Sequence, residues 1–193
     1  MTWLEDLIAR FVSDADDLAL AQVRSLAAGG VGAPAAEAYL ELCRLVGESA
    51  QDSAGLLAAL DDMPLPQVID RIGALVVACF AAVRADYPAR PDAQAARAAL
   101  SARGDGVIDQ AGAAYGAEVF GWLNRLVGEA VVQVSQIAAT RAPLVRVETG
   151  LSLPSSLIAY DLYGDPSRGA DLVARNRTGT PMAMPVVLEA LAV

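Results

Sequence analysis

Over the first 142 positions the apolar residues recur every three or four residues, the spacing of helices with one buried face. Leu4, Leu7, Ile8, Phe11, Val12, Leu18 and Val23 fall in this register. Thr2 followed by Glu5 forms a capping box, in which each side chain satisfies a backbone N–H at a helix start. The pattern predicts one helix from there to Gly29-Gly30, with Asp14, Asp16 and Asp17 solvated at the edges of its apolar face. Pro34, where a missing N–H costs nothing, opens a second helix that buries Tyr39, Leu40, Leu42, Cys43 and Val46. Leu56, Leu57 and Leu60 continue it or form a short successor, with Asp61-Asp62 in a helix-end loop. A third helix follows Pro64 and Pro66, over roughly 66–86, and its middle is apolar nearly all round, as suits the centre of a bundle. An alanine-rich fourth helix runs from the Pro88–Pro91 turn to about Arg103, ended by Gly104-Asp105-Gly106. The fifth runs from about Val107 to Ala142 and is closed by Pro143. Gly112, Gly116, Gly121 and Gly128 each lower its intrinsic stability by ~1 kcal/mol, and close approach to neighbouring helices or another subunit accounts for them.

After Pro143 the texture changes. Residues 144–153 partly alternate apolar and polar, as in a short strand or extended arm. Pro154 opens a short helix to about Tyr163, Gly164-Asp165-Pro166 turns, and a second short helix ends near Asn176. The stretch from Pro181 to Val193 reads as an extended tail. The fold class is therefore mainly α: a bundle of about five helices over 1–143, then a small C-terminal arm with a short-helix motif over 144–193. No repeat of 20–50 residues is visible in the helical part.

Composition narrows the chemistry. All 14 basic residues are arginine, and the chain holds no histidine, which removes the commonest general base and metal ligand. No phosphate-binding Gly-rich loop, nucleophile elbow or Cys-x-x-Cys pair occurs, and Gly104-Asp105-Gly106 lacks the oxygen ligands and closing glutamate of a calcium loop. These features point away from an enzyme, and no cofactor or metal is implied. Cys43 and Cys79 lie in apolar surroundings and read as small buried hydrophobes. The acidic N-terminus is not a secretory signal, and the longest apolar stretch, Ile72 to Val83, falls short of the ~20 residues of a membrane span. A soluble protein made in the cytoplasm is expected. Net charge is −9, and residues 1–70, with 12 acidic and 3 basic residues, carry all of it.

The C-terminal segment carries the most specific order of features. Leu153-Pro154 and Ala159-Tyr160 lead to Tyr163-Gly164-Asp165, then Arg168, Ala174-Arg175-Asn176, Pro181, Pro185 and Leu188-Glu189. This order resembles the C-terminus of the DNA-circularisation protein N family of Mu-like bacteriophages, components of the contractile tail baseplate. About 40 residues carry the resemblance. Thr180 stands where the family has histidine before the first proline, and Met184 replaces the usual valine before Pro185. The family's separate N-terminal domain has no counterpart, so the sequence reads as a C-terminal portion or a shortened relative. The same segment is similar to the LysM-like modules of small phage tail proteins, which normally start from a clear strand.

The resemblance implies a structural virion protein, located in the tail baseplate and in the host cytoplasm during assembly. Its implied partners are tube or hub proteins and further copies of itself. Tyr160, Tyr163, Gly164, Asp165, Arg168, Arg175, Asn176, Pro181 and Pro185 are the candidate partner-binding residues. Among them Gly164 permits a tight turn, Asp165 caps the following helix, and Asn176 ends it in a left-handed conformation. The alternative is a peptidoglycan-binding module built on the LysM-like segment. Direct DNA binding has no electrostatic support in an acidic chain without lysine. A fluorescence titration with duplex DNA at physiological salt should show no sub-micromolar binding; tight binding there would contradict this reading of the charge.

Overall fold

The computed structural model describes residues 2–192 and is mainly helical, 72% of it, with one small two-stranded sheet. Seven helices come first: α1 (Thr2–Phe11), α2 (Ala15–Ala28), α3 (Ala33–Ser49), α4 (Ser53–Asp61), α5 (Val68–Arg84), α6 (Arg90–Tyr115) and α7 (Ala117–Thr140). Strand β1 (Leu144–Glu148), helices α8 (Ser155–Tyr163) and α9 (Gly169–Asn176) and strand β2 (Val187–Leu191) follow, with a single 3-10 turn at Pro166–Arg168. Among the described residues no helix is long and apolar enough to cross a membrane.

The chain forms two compact units. One comprises Met1–Asp86 and Ala93–Ile137; the other comprises Tyr87–Asp92 and Ala138–Val193, so the second takes in a short segment from far upstream. In the first unit α5 is central, as its all-round apolar middle predicts: ten of its residues, from Ile72 to Ala82, are buried. It lies against α3 at a separation that two glycines set. A Cβ on Gly47 of α3 would fall 2.7 Å from the Val77 carbonyl oxygen, and one on Gly73 of α5 would fall 2.3 Å from the Tyr39 hydroxyl. Tyr39 uses that closeness to donate to the Ile69 carbonyl at 3.3 Å. Cys43 and Cys79 are fully buried and free, and burial pushes each thiol up to about 12, so both remain neutral packing groups.

Three boundaries differ from the sequence pattern, each for an identifiable reason. The predicted first helix is two helices. Asp14 breaks it by turning its carboxylate onto the Asp16 and Asp17 N–H groups, 3.0 and 3.1 Å away, which starts α2 afresh. Asp14 is thus a cap, and Val23 is 63% exposed, off the predicted buried stripe. The second correction concerns Gly104-Asp105-Gly106, which lies inside α6 and does not end it. Gly104 is buried there because a Cβ would press on Val127 of α7 at 3.0 Å. The real break is Gly116, at φ +93°, a left-handed position that favours glycine. Gly112 lies against Phe120, whose ring would be 3.0 Å from its Cβ and which the sequence pattern put on the same helix, whereas Gly121 and Gly128 meet nothing within 4 Å, so close helix approach does not account for those two. Third, Asp61 is not an unpartnered loop residue, because it ends α4 in an ion pair with Arg103 of α6.

The C-terminal arm is also revised. β1 pairs antiparallel with β2 in the register Leu144↔Leu191 to Glu148↔Val187, and the expected extended tail supplies that second strand. Returning chain continues to bond to the outgoing chain beyond the ladder, through Thr149 N–H to Val186 O, Met184 N–H to Leu153 O and Ser155 N–H to Pro181 O. A small core of Ile158, Ala159, Leu172, Met184, Leu188 and Ala190 forms inside this loop. Nothing in it extends free as an arm.

Two substitutions separate the glycines that space helices from those that do not. Gly47→Ala should destabilise the protein by about 1–3 kcal/mol, because the methyl meets rigid backbone and overpacking outweighs the gain in helix propensity. Gly106→Ala, facing open space inside α6, should stabilise by up to about 1 kcal/mol. Urea unfolding followed by circular dichroism checks both signs.

Candidate functional site

All nine candidate residues lie in the second unit, and the structure gives most of them a building role. α8 ends at Gly164, at φ +70°, whose N–H returns to the Tyr160 carbonyl at 2.8 Å. Asp165 caps the next turn by accepting the Ser167 N–H at 2.9 Å and the Ser167 hydroxyl at 2.7 Å. Those hydrogen bonds, aided by the Arg168 charge, hold its carboxyl below the ordinary carboxylate range. The stabilisation is therefore present at neutral pH and fades as pH falls through the lowered value.

Tyr163, Arg168, Arg175 and Asn176 tie the helices to the sheet and to each other. The Arg168 guanidinium lies 3.7 Å from the centre of the Tyr163 ring, a cation–π contact, and its Nε is 3.8 Å from Asp171. The Tyr163 hydroxyl accepts the Leu191 N–H at 3.0 Å, which holds the end of β2. Asn176 reads the backbone of Glu189 from both sides: its amide nitrogen donates to the Glu189 carbonyl at 2.9 Å and its oxygen accepts the Glu189 N–H at 2.8 Å. The residue that ends α9 in the left-handed conformation is Arg177, at φ 50°, and not Asn176 as the sequence suggested. Arg175 donates to Asp92 at 3.0 Å, and the same Asp92 oxygen accepts the Ala89 N–H, which anchors the upstream segment within this unit.

These side chains frame a cleft of about 800 Å³ that holds Tyr163 and Arg175 with Asp92, Asp171, Arg177 and Glu189. Charges of both signs line it, so it has no single electrostatic preference. Tyr160 lies apart, 59% exposed on α8, one turn from the exposed Leu157. Pro181 is exposed and serves through its carbonyl, which accepts the first N–H of α8 at 2.7 Å. Pro185 is exposed beside the fully buried Met184. Met184 is an apolar core residue of this unit, and the Thr180 hydroxyl accepts the Met182 N–H at 3.2 Å. Sequence reasoning missed Asp92, which no local pattern connects to Arg175 across 83 positions. It also missed Leu157 and Met182, whose exposure reverses the usual meaning of an apolar residue.

No protein-family model matches the chain, and a search of curated proteins finds no significant match.

The Asn176 clasp makes a sharp prediction. Asn176→Ala should cost about 1–3 kcal/mol and speed amide exchange at Glu189, because two backbone groups lose their partner. Tyr160→Ala, which removes an exposed ring, should change stability by no more than about 0.5 kcal/mol. Amide-exchange mass spectrometry beside urea unfolding distinguishes the two.

Proposed function

We propose that the chain is a structural virion protein of a phage tail baseplate, assembled in the host cytoplasm, and that its second unit holds tube or hub proteins. It acts by assembly and not by catalysis. The observation that carries this reading is the division of labour among the residues that resemble the Mu-like family. Tyr163, Gly164, Asp165, Asn176 and Pro181 each bond to a backbone group of the same unit, directly or through their own main chain, and so build it. Around α8 the same unit turns apolar side chains outward: Leu157 and Tyr160, 45% and 59% exposed, and Met182, 71% exposed, next to the proline that bonds to the first residue of α8. Outward apolar residues gathered on a small, well-tied frame suit a protein partner better than a soluble ligand.

One observation bears on the alternative. The order strand, helix, helix, strand, with the two strands paired, supports the likeness to LysM-like modules, since β1 is the opening strand such modules have. That likeness is compatible with a tail protein and with a peptidoglycan-binding one. Mass spectrometry of purified tail particles should find the wild-type chain, whereas a Leu157→Asp, Tyr160→Ala double variant should keep its circular-dichroism spectrum and be missing from them. A peptidoglycan pull-down run in parallel should leave the wild type unbound. Absence of the wild type from particles, or its retention on peptidoglycan, would overturn the assignment.

A further inference from the structure

Helix α2 packs one side against α3 and fully buries only Ala21, and its opposite side is apolar although it faces solvent. Leu20, Val23 and Leu26 are 43%, 63% and 82% exposed, and Ala19 and Ala27 are exposed beside them. The pattern of this face has a symmetry. Read outward from Val23, the residues three positions away are both leucine, and those four positions away are both alanine.

We propose that α2 is the interface of a homodimer, in which it crosses its own copy antiparallel with Val23 on the two-fold axis. A two-fold interface needs a patch complementary to itself, where each residue meets the one reflected through the axis. Here Leu20 meets Leu26 of the copy, Ala19 meets Ala27, and Val23 meets Val23. Asp16 falls opposite Gly30, which has no side chain to crowd a carboxylate. Antiparallel helix dipoles are also mutually favourable. A parallel pair would stack Asp16 on Asp16. An apolar patch of this kind covers on the order of 500 Å², so two of them bury roughly 1,000 Å², the lower bound for a specific interface. The dimer is accordingly a weak one that forms at micromolar concentrations. It rests on α2 alone and does not depend on the assignment to a phage tail.

Cysteine scanning tests the geometry directly, because Cys43 and Cys79 are buried and do not compete. Helix axes 8–10 Å apart bring facing Cα atoms to roughly 4–5 Å, within reach of a disulfide. Val23→Cys should therefore cross-link to itself under mild oxidation. Leu20→Cys mixed with Leu26→Cys should give a heterodimer, while Leu20→Cys alone should not, since antiparallel copies of residue 20 lie about 9 Å apart along the axis. Light scattering should show wild type passing from monomer to dimer between about 1 and 100 µM. Val23→Glu, with an unchanged circular-dichroism spectrum, should weaken that association at least about tenfold. A wild type that stays monomeric throughout, a dimer indifferent to Val23→Glu, or cross-linking of residue 20 to itself would each overturn the proposal.

Discussion

The close approach of α3 and α5 is the constraint on which the first unit depends. Both helices are long and apolar, but hydrophobicity alone does not say how near they come. Gly47 and Gly73 do: each meets atoms of the opposite helix at distances no Cβ tolerates. The two contacts lie at opposite ends of the crossing, one against Val77 and Phe80 and the other against Tyr39 and Cys43, so they fix its angle as well as its depth. Everything buried nearby inherits that spacing. Tyr39 reaches a carbonyl of α5 across it, and Cys43 finds a slot that fits a thiol and excludes water. A glycine inside a helix costs about 1 kcal/mol of propensity, which these two positions recover through packing that a wider crossing would forfeit.

The second unit solves a different problem, because its chain is too short for a deep core. Six buried residues form its centre, and polar side chains bonded to backbone hold the rest. Asn176 and Tyr163 each bind main-chain groups of β2, and Ser152 donates to the Met184 carbonyl at 2.8 Å. Such bonds are directional, so they set the strand's position in a way that a handful of aliphatic contacts cannot.

Much of this was legible in the residues, and what was hidden has a common cause. The helical class, the central place of the segment around Leu75, and the turn at Gly164-Asp165 follow from spacing and local turn chemistry. Apart from the local cap at Asp14, the hidden features depended on partners distant in sequence. Asp14 looks the same in a sequence whether it caps a helix or sits on a solvated face. Gly104 reads as a helix end until Val127 is seen against it. The final strand carries two prolines just upstream and resembles a tail, because the signal that makes it a strand lies forty residues earlier in Leu144–Glu148. Among the candidate site residues, the turn roles of Gly164 and Asp165 were readable for the same local reason. The grip of Asn176 on Glu189 was not.

Charge and surface divide along the same line as the units. The first unit holds 17 acidic and 8 basic residues and so carries the whole net charge of −9, while the second holds 6 of each. An acidic unit repels a second copy at long range, and that repulsion is screened within about 8–10 Å at physiological salt. An apolar contact between copies can then form only where the local charge is low. The face of α2 from Ala19 to Ala27 is such a place, with Arg24 its single charged residue. Around α8 the apolar residues instead stand on a unit with no net charge, which places no electrostatic condition on the sign of a partner. For the partner contacts proposed at α8, selectivity would rest on shape and apolar fit, so they should be insensitive to salt, whereas the self-association proposed through α2 should strengthen as salt rises and the acidic repulsion is screened. Measuring both associations across a salt series separates the two surfaces, since a shared electrostatic origin would move them in the same direction.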